Sequence, residues 1–229
     1  MTTILAIETT TELASAALFV GDQMFVRELS GVQTHSQGIL PALESLLAEG
    51  GVALADCDAI AFGCGPGAFT GIRTACGVVQ GLAFGADLGV VPVVSLHAMA
   101  LAATEQSSMS DFICVLDARM NEVYWAHYQI SENVCLQVSP PRLSKFEEVS
   151  VPNETGQILV VLGSGLELPE KLKQCAYVHL MPHAVQVARL GMLGFDAGLA
   201  ITPEEAQPLY LRNKIALTTA ERGMLKGLA

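Results

Sequence analysis

Apolar and polar positions alternate in short blocks from the start of the chain. Thr3 to Glu8 runs apolar up to an acid, a polar turn follows at Thr9 to Glu12, and Ala14 to Val20 runs apolar again. Gly21-Asp22 is a two-residue hairpin signal, after which Met24 to Leu29 returns as a third strand. The period then changes. Ile39, Leu40, Leu43, Leu46 and Leu47 share one helical stripe that stops at Gly50-Gly51. Pro41 is expected in the first turn of that helix or at a kink in it. Ala59 to Phe62 then reads as a strand, residues 70 to 86 as a helix and Val90 to Val94 as a strand.

The second half repeats this grammar. Phe112 to Asp117 is an apolar strand ending in an acid, followed by a polar turn at Ala118 to Glu122 and a strand from Val123 to Ile130. Ser131-Glu132-Asn133 turns the chain into Val134 to Val138. Ile158 to Leu162 matches Ala59 to Phe62, and both run into glycines, at Gly63-Cys64-Gly65-Pro66-Gly67 and at Gly163-Ser164-Gly165. Val178 to Leu180 matches Val90 to Val94. Alternation of this kind is common to α/β chains at large, but the matched intervals predict a duplicated unit. The expectation is an α/β protein of two β-β-β-α-β-α lobes, residues 1–106 and 107–205, joined by the polar Gln106-Ser107-Ser108, with 206–229 assigned to neither. Such a duplicated unit resembles the sugar kinase, Hsp70 and actin superfamily, in which the turn after each first strand faces nucleotide phosphates.

Composition narrows the function classes. Of 229 residues, 51% are hydrophobic and only 15% charged, against about 25% charged in ordinary soluble domains. Either the polar shell is small or an apolar face is meant for another protein. The net charge is −11, and the densest basic stretches are Lys171/Lys173 and Arg212/Lys214. That argues against direct nucleic-acid binding by this chain, since nucleic-acid binders cluster Lys and Arg. The six cysteines show no C-x-x-C spacing and read as buried thiols of a reducing compartment. Glu8 and Glu12 interrupt the first apolar run, so no signal peptide is expected. Leu88 to Thr104 is uncharged but falls short of membrane-spanning length. A cytoplasmic protein is expected.

The candidate chemistry is sparse. Glu8, Thr9 and Thr10 stand at the first phosphate-turn position and Asp117 at the second. No glycine follows in either turn to admit a phosphate, so both are poor cradles. Gly65 to Arg73 is a glycine-rich strand-to-helix turn but not a Walker loop, because Gly-Lys-Ser/Thr is missing. Anion binding at that helix start and tight backbone turning explain it equally well. Gly77, Gly81 and Gly85 form a stripe without side chains on a helix that is apolar over most of its circumference. That predicts a helix buried on all sides, either within its lobe or beneath a partner. His179 and His183 are separated by Pro182, which disfavours a shared helical face for zinc, and His97 reads as a lone core histidine. No metal site and no catalytic residue is expected. A small-metabolite kinase remains the alternative reading, and a metallopeptidase a weaker one.

Several segments together resemble the TsaB (YeaZ) family. They are Ile4-Leu5-Ala6-Ile7-Glu8-Thr9-Thr10, Thr34-His35-Ser36 with Ile39-Leu40-Pro41, Gly65 to Arg73, Leu116-Asp117-Ala118-Arg119 with Glu122-Val123-Tyr124, and Pro208-Leu209-Tyr210-Leu211-Arg212. The match is dense over residues 1 to 130, thins to 200 and returns at the tail. The resemblance implies an inactive scaffold and activator for threonylcarbamoyl transfer to the adenosine beside the tRNA anticodon. It implies a catalytic paralogue, TsaD, and an ATPase, TsaE, as partners, with tRNA reached only through the complex and a homodimer when alone. Ser95-Leu96-His97-Ala98-Met99-Ala100-Leu101 resembles the paralogue's His-x-x-x-His with Leu101 in place of the second ligand, and one imidazole does not hold a catalytic metal. The partner interface implied is a paired helical face of His35, Ile39, Leu43, Leu46, Leu47, Phe69, Ile72, Arg73, Cys76 and Val79. Here the glycine stripe would let the first lobe sit tightly behind. Glu8, Thr9, Thr10, Asp117, Gly163 and Gly165 would form a degenerate nucleotide cleft. No cofactor is expected beyond weak ATP or ADP at the partner interface.

Overall fold

Three antiparallel strands, β1 (Thr3–Glu8), β2 (Ala14–Val20) and β3 (Gln23–Leu29), open the computed structural model, which describes residues 2–29, 35–131, 134–151 and 158–212. α1 (His35–Gly50), β4 (Ala59–Gly65), α2 (Phe69–Ala86) and β5 (Gly89–Val94) complete a five-stranded sheet of order β3-β2-β1-β4-β5, with β4 and β5 parallel to β1. After α3 (Ser95–Thr104), residues 105–110 carry no helix or strand and lead into the second half. There β6 (Asp111–Arg119), β7 (Glu122–Ser131), β8 (Val134–Gln137), β10 (Ile158–Leu162) and β11 (Ala176–His179) form the order β11-β10-β6-β7-β8. β9 (Arg142–Lys145) lies beside β7, and α4 (Ala184–Asp196) follows β11. Strand for strand the two sheets correspond, with β6 in the place of β1. The fold is α/β, with two sheets of matching strand order. The turn expected at Glu132-Asn133, and Thr34 of the first helix's motif, lie outside the described residues.

The strands repeat more faithfully than the helices. Where the first half has α1, the second has β9 and a 3-10 turn at Phe146–Glu148. Where it has α2, the second has a 3-10 turn at Glu170–Leu172. Pro140-Pro141 and Pro169 stand in these stretches, and proline removes the amide that a helix interior requires. Short turns and the strand β9 therefore cover the outer face of the second sheet, where Ile113, Val115, Trp125, Val149, Val160 and Leu172 cluster.

The remaining helices exchange sheets. α3, from the first half, packs mainly on β6 and α4, with further contacts to β4, β5, β7, β8 and β10; α4, from the second half, packs on β1, β2, β4 and β5. Ser15 on β2 accepts the Ala184 amide at the start of α4 (2.9 Å). Gly191 and Gly194 bring α4 so close that a Cβ there would meet Ala61 and Val91. The layers run α1 and α2, first sheet, α3 and α4, second sheet, outer turns. A fully buried Leu or Ile in these layers contributes about 1.5–3 kcal/mol.

Pro41 lies inside α1, beyond its first turn, so the helix forgoes the bond from residue 41 to the carbonyl of residue 37. The helix buried all round is α3, not α2: Leu96, Ala98, Met99, Ala100 and Ala103 are all inaccessible. On α2 the inward face is Gly71, Ile72, Ala75, Cys76, Val79 and Ala83. Its glycine stripe points the other way, and a Cβ at Gly77, Gly81 or Gly85 would meet nothing. The stripe does not seat the first lobe behind the helix.

Candidate functional site

The carboxyl end of β1 carries Glu8 into the interior rather than toward solvent. Its side chain is fully buried, accepting from the Thr10 amide (2.6 Å) and the Ser95 hydroxyl (3.0 Å) at the start of α3. Gly63 is glycine because a Cβ there would overlap this carboxylate. Burial raises the Glu8 pKa above the ordinary glutamate value, and the bonds from Thr10 and Ser95 oppose that rise. The turn beyond is clamped by the glycine-rich segment. Thr9 donates its hydroxyl to the Gly71 carbonyl (2.8 Å), and the Ala68 amide donates to the Thr10 carbonyl (2.6 Å). A Cβ at Gly67 or Gly71 would collide with Thr10 or Thr9. Tight packing against the first turn, not anion capture, explains those two glycines.

The second lobe does the same with different residues. Asp117, at the corresponding strand end, accepts from the Arg119 amide (2.8 Å) and pairs with the Arg119 guanidinium (3.0 Å). Arg119, Met120 and Asn121 follow in left-handed conformation (φ 65°, 58° and 60°), which costs a non-glycine residue about 1–2 kcal/mol each. Between the two turns lies a cleft of about 810 Å³. Thr10, Asp117, Gly163 and Gly165 line it; Glu8 and Thr9 do not. The other walls are Phe69, Ile72, Arg73, Leu116, Tyr124 and Met181, with Leu209 to Arg212 of the tail along one side. The tail's part in the cleft was not read from the sequence, and its Tyr-x-Arg spacing gives no periodic signal.

The helical surface expected to meet a partner divides in two. Ile39, Leu43, Leu46, Ile72, Cys76 and Val79 are at most 5% exposed; all but Ile72, which lines the cleft, cluster with the first sheet, and they leave little surface for another protein. A stripe seen in sequence gives the apolar face of a helix, and the sheet claims that face first. Phe69 and Arg73 are exposed, and His35 and Leu47 partly so. His35 Nε2 stands 3.3 Å from the Glu12 carbonyl. Residues the sequence reading left out complete the outer face: Leu40 is half exposed and Phe84 is 72% exposed.

The histidines serve the fold. His97 stacks on Tyr128 with ring centroids 5.0 Å apart and places Nε2 2.9 Å from the Cys135 carbonyl; burial lowers its pKa. His183 accepts the Val185 amide as the cap of α4 (3.2 Å), and His179 stands edge-on to Tyr177. Among the described residues, no three His, Cys, Asp or Glu side chains converge as metal ligands, and no helix is long and apolar enough to cross a membrane. All six cysteines are free, and burial, with help from Glu8, pushes the Cys64 thiol up to about 12.

Comparison with known proteins places this geometry in context. The family model described as TsaD, tRNA N6-adenosine threonylcarbamoyltransferase, matches residues 24–221. The tRNA threonylcarbamoyladenosine biosynthesis protein TsaB of Haemophilus influenzae is 35% identical, across 93% of this chain and 94% of its own. TsaB of Escherichia coli is also 35% identical, across 93% and 96%. The solved structure of YeaZ from Pseudomonas aeruginosa superposes with a TM-score of 0.84 at 36% identity, covering 92% of this chain and all of that one.

Proposed function

The chain belongs to the TsaB (YeaZ) family, and from that membership we propose that it serves tRNA threonylcarbamoyladenosine formation as a non-catalytic subunit. One observation carries the non-catalytic part. Each turn that would face a phosphate is closed by its own acid, Glu8 on the Thr10 amide and Asp117 on the Arg119 amide. Phosphoryl transfer relies on free backbone donors and a positive field around the phosphates. Here those donors are engaged by carboxylates of the same turns, which counts against the kinase reading. Any ATP or ADP bound at a partner interface is weak and structural.

The partner face in this reading is the outer side of α2, around Gly77, Gly81 and Gly85, bordered by Phe69, Arg73 and Phe84. Glycines spaced by four let a second helix approach within the ~8 Å lower limit of helix packing. A catalytic paralogue of TsaD type takes that face in the complex, and a second copy of this chain takes it in isolation. A TsaE-type ATPase joins the pair. At a net charge of −11, tRNA is reached through the partner rather than through this chain.

The test is a reconstitution. TsaD-type and TsaE-type proteins, ATP, threonylcarbamoyl-adenylate and unmodified tRNA are combined with or without the chain, and modified nucleoside is counted by mass spectrometry. Product should depend on the chain, and the chain alone should make none and hydrolyse no ATP. Product of equal yield without it, or turnover by it alone, refutes the scaffold reading.

A further inference from the structure

Beyond the 3-10 turn at Pro203–Glu205, residues 206–212 run without helix or strand and belong to neither sheet. Their first contacts are with the first lobe. The Ala206 carbonyl accepts from Cys76 Sγ (3.3 Å) and Gln80 Nε2 (2.9 Å) on α2. The Leu209 amide donates to the Cys64 carbonyl near the end of β4 (2.7 Å), and the Leu209 carbonyl lies 3.2 Å from where a Cβ on Gly65 would stand. The Tyr210 hydroxyl accepts from Arg73 Nε (2.7 Å). Arg73 in turn lies over the Phe69 ring, 3.8 Å from its centroid, and Phe69 and Tyr210 stand 6.0 Å apart.

Two residues later the contacts change lobe. Arg212 donates to the carbonyls of Ala118 (3.1 Å) and Arg119 (3.4 Å) and pairs with Glu122 (2.6 Å). These groups bracket the β6–β7 turn, where Arg119, Met120 and Asn121 hold three consecutive left-handed conformations without a glycine. A guanidinium is suited to this position because its planar fork serves several acceptors at once. Both members of the ion pair are largely covered, with side-chain exposures of 20% and 31%, so water screens them less than an open surface pair. The segment thus runs along the inter-lobe cleft, held on α2 at one end and on the second lobe's turn at the other.

We propose that residues 206–212 are a strap that couples the exposed start of α2 to the β6–β7 turn across the cleft, with Arg212 as its catch. Strain at Arg119 to Asn121 is held by the catch, and the catch is positioned by the Tyr210–Arg73–Phe69 stack. Whatever displaces Arg73 at the α2 surface loosens the turn in the other lobe. This coupling does not depend on what the chain's partner is.

Hydrogen exchange of the full chain, followed by mass spectrometry, tests the coupling with two variants. Arg212→Ala should speed exchange across residues 118–122 by about tenfold, the factor expected when a charge-assisted set of bonds is lost. β1 and β4 should stay protected. Tyr210→Phe removes only the bond to Arg73 and keeps the ring; it should also speed exchange at 118–122, by a smaller factor. An unchanged turn in Arg212→Ala, or a response to Tyr210→Phe confined to residues 69–75, overturns the strap. If Arg212→Ala loses its cooperative melt, Tyr210→Phe decides alone.

Discussion

Glu8 is an acid that no cation answers among the described residues, held by the Thr10 amide and the Ser95 hydroxyl. Its pKa is raised in the folded state because burial disfavours the charged form, so the native protein holds that proton more tightly than the unfolded chain. The associated stability is complete below the unfolded glutamate value and declines as pH rises through that value toward the folded one. Glu8→Gln keeps the shape and removes the titration. In urea melts the variant should therefore gain on the parent as pH rises above the ordinary glutamate value; a constant difference would show that Glu8 does not titrate differently on folding. Tyr128 presents the opposite problem, a buried hydroxyl with no hydrogen-bonding partner among the described residues. Removing it leaves nothing unpaired, so Tyr128→Phe should be neutral or stabilising by up to about 1 kcal/mol in the same assay.

Among the elements, α2 shows best what a helical pattern does and does not reveal. Exposed glycines within a helix cost about 0.5–1 kcal/mol each relative to alanine, and a Cβ at Gly81 would enter open space. Gly81→Ala should weaken both self-association of the isolated chain and paralogue binding in calorimetry, while raising the melting temperature of the dilute monomer. Equal affinity would mean that the stripe is not the docking face. Val79→Asp, by contrast, buries a charge at a position with no exposure and should cost several kcal/mol of stability whatever the partner does. Strand positions were legible because short continuous apolar runs such as Thr3 to Glu8 and Ile158 to Leu162 end at acids or glycines. Helix orientation was not, because α2 is apolar or small on both faces, and only the first sheet's position decides which one is inside. Among the described residues, the stretches that stand in place of α1 and α2 in the second half carry Pro140, Pro141 and Pro169. In the cleft, Asp117, Gly163 and Gly165 could be placed from the repeat; the inward turn of Glu8 depends on Gly63 and Ser95, distant in sequence and adjacent only after folding.

At the scale of the molecule, the exchange of α3 and α4 makes each lobe incomplete without the other. Ile4, Ala6, Ala59, Ala61, Val91 and Val93 share a cluster with Ala184, Val187 and Ala188 of α4. A fragment ending at residue 110 lacks that helix and should show no cooperative thermal transition while binding a hydrophobic dye. The full chain should melt in one step. A well-folded fragment would make the lobes independent. The same arrangement sets a schedule for the chain as it leaves the ribosome. Val94 ends the first sheet and Asp196 ends α4, so roughly 100 residues must still be made, about 5 to 20 s at ~5–20 residues per second. Throughout that interval the finished strands wait for a cover that has not yet been translated, and the nascent protein is a client for chaperones however stable it later becomes.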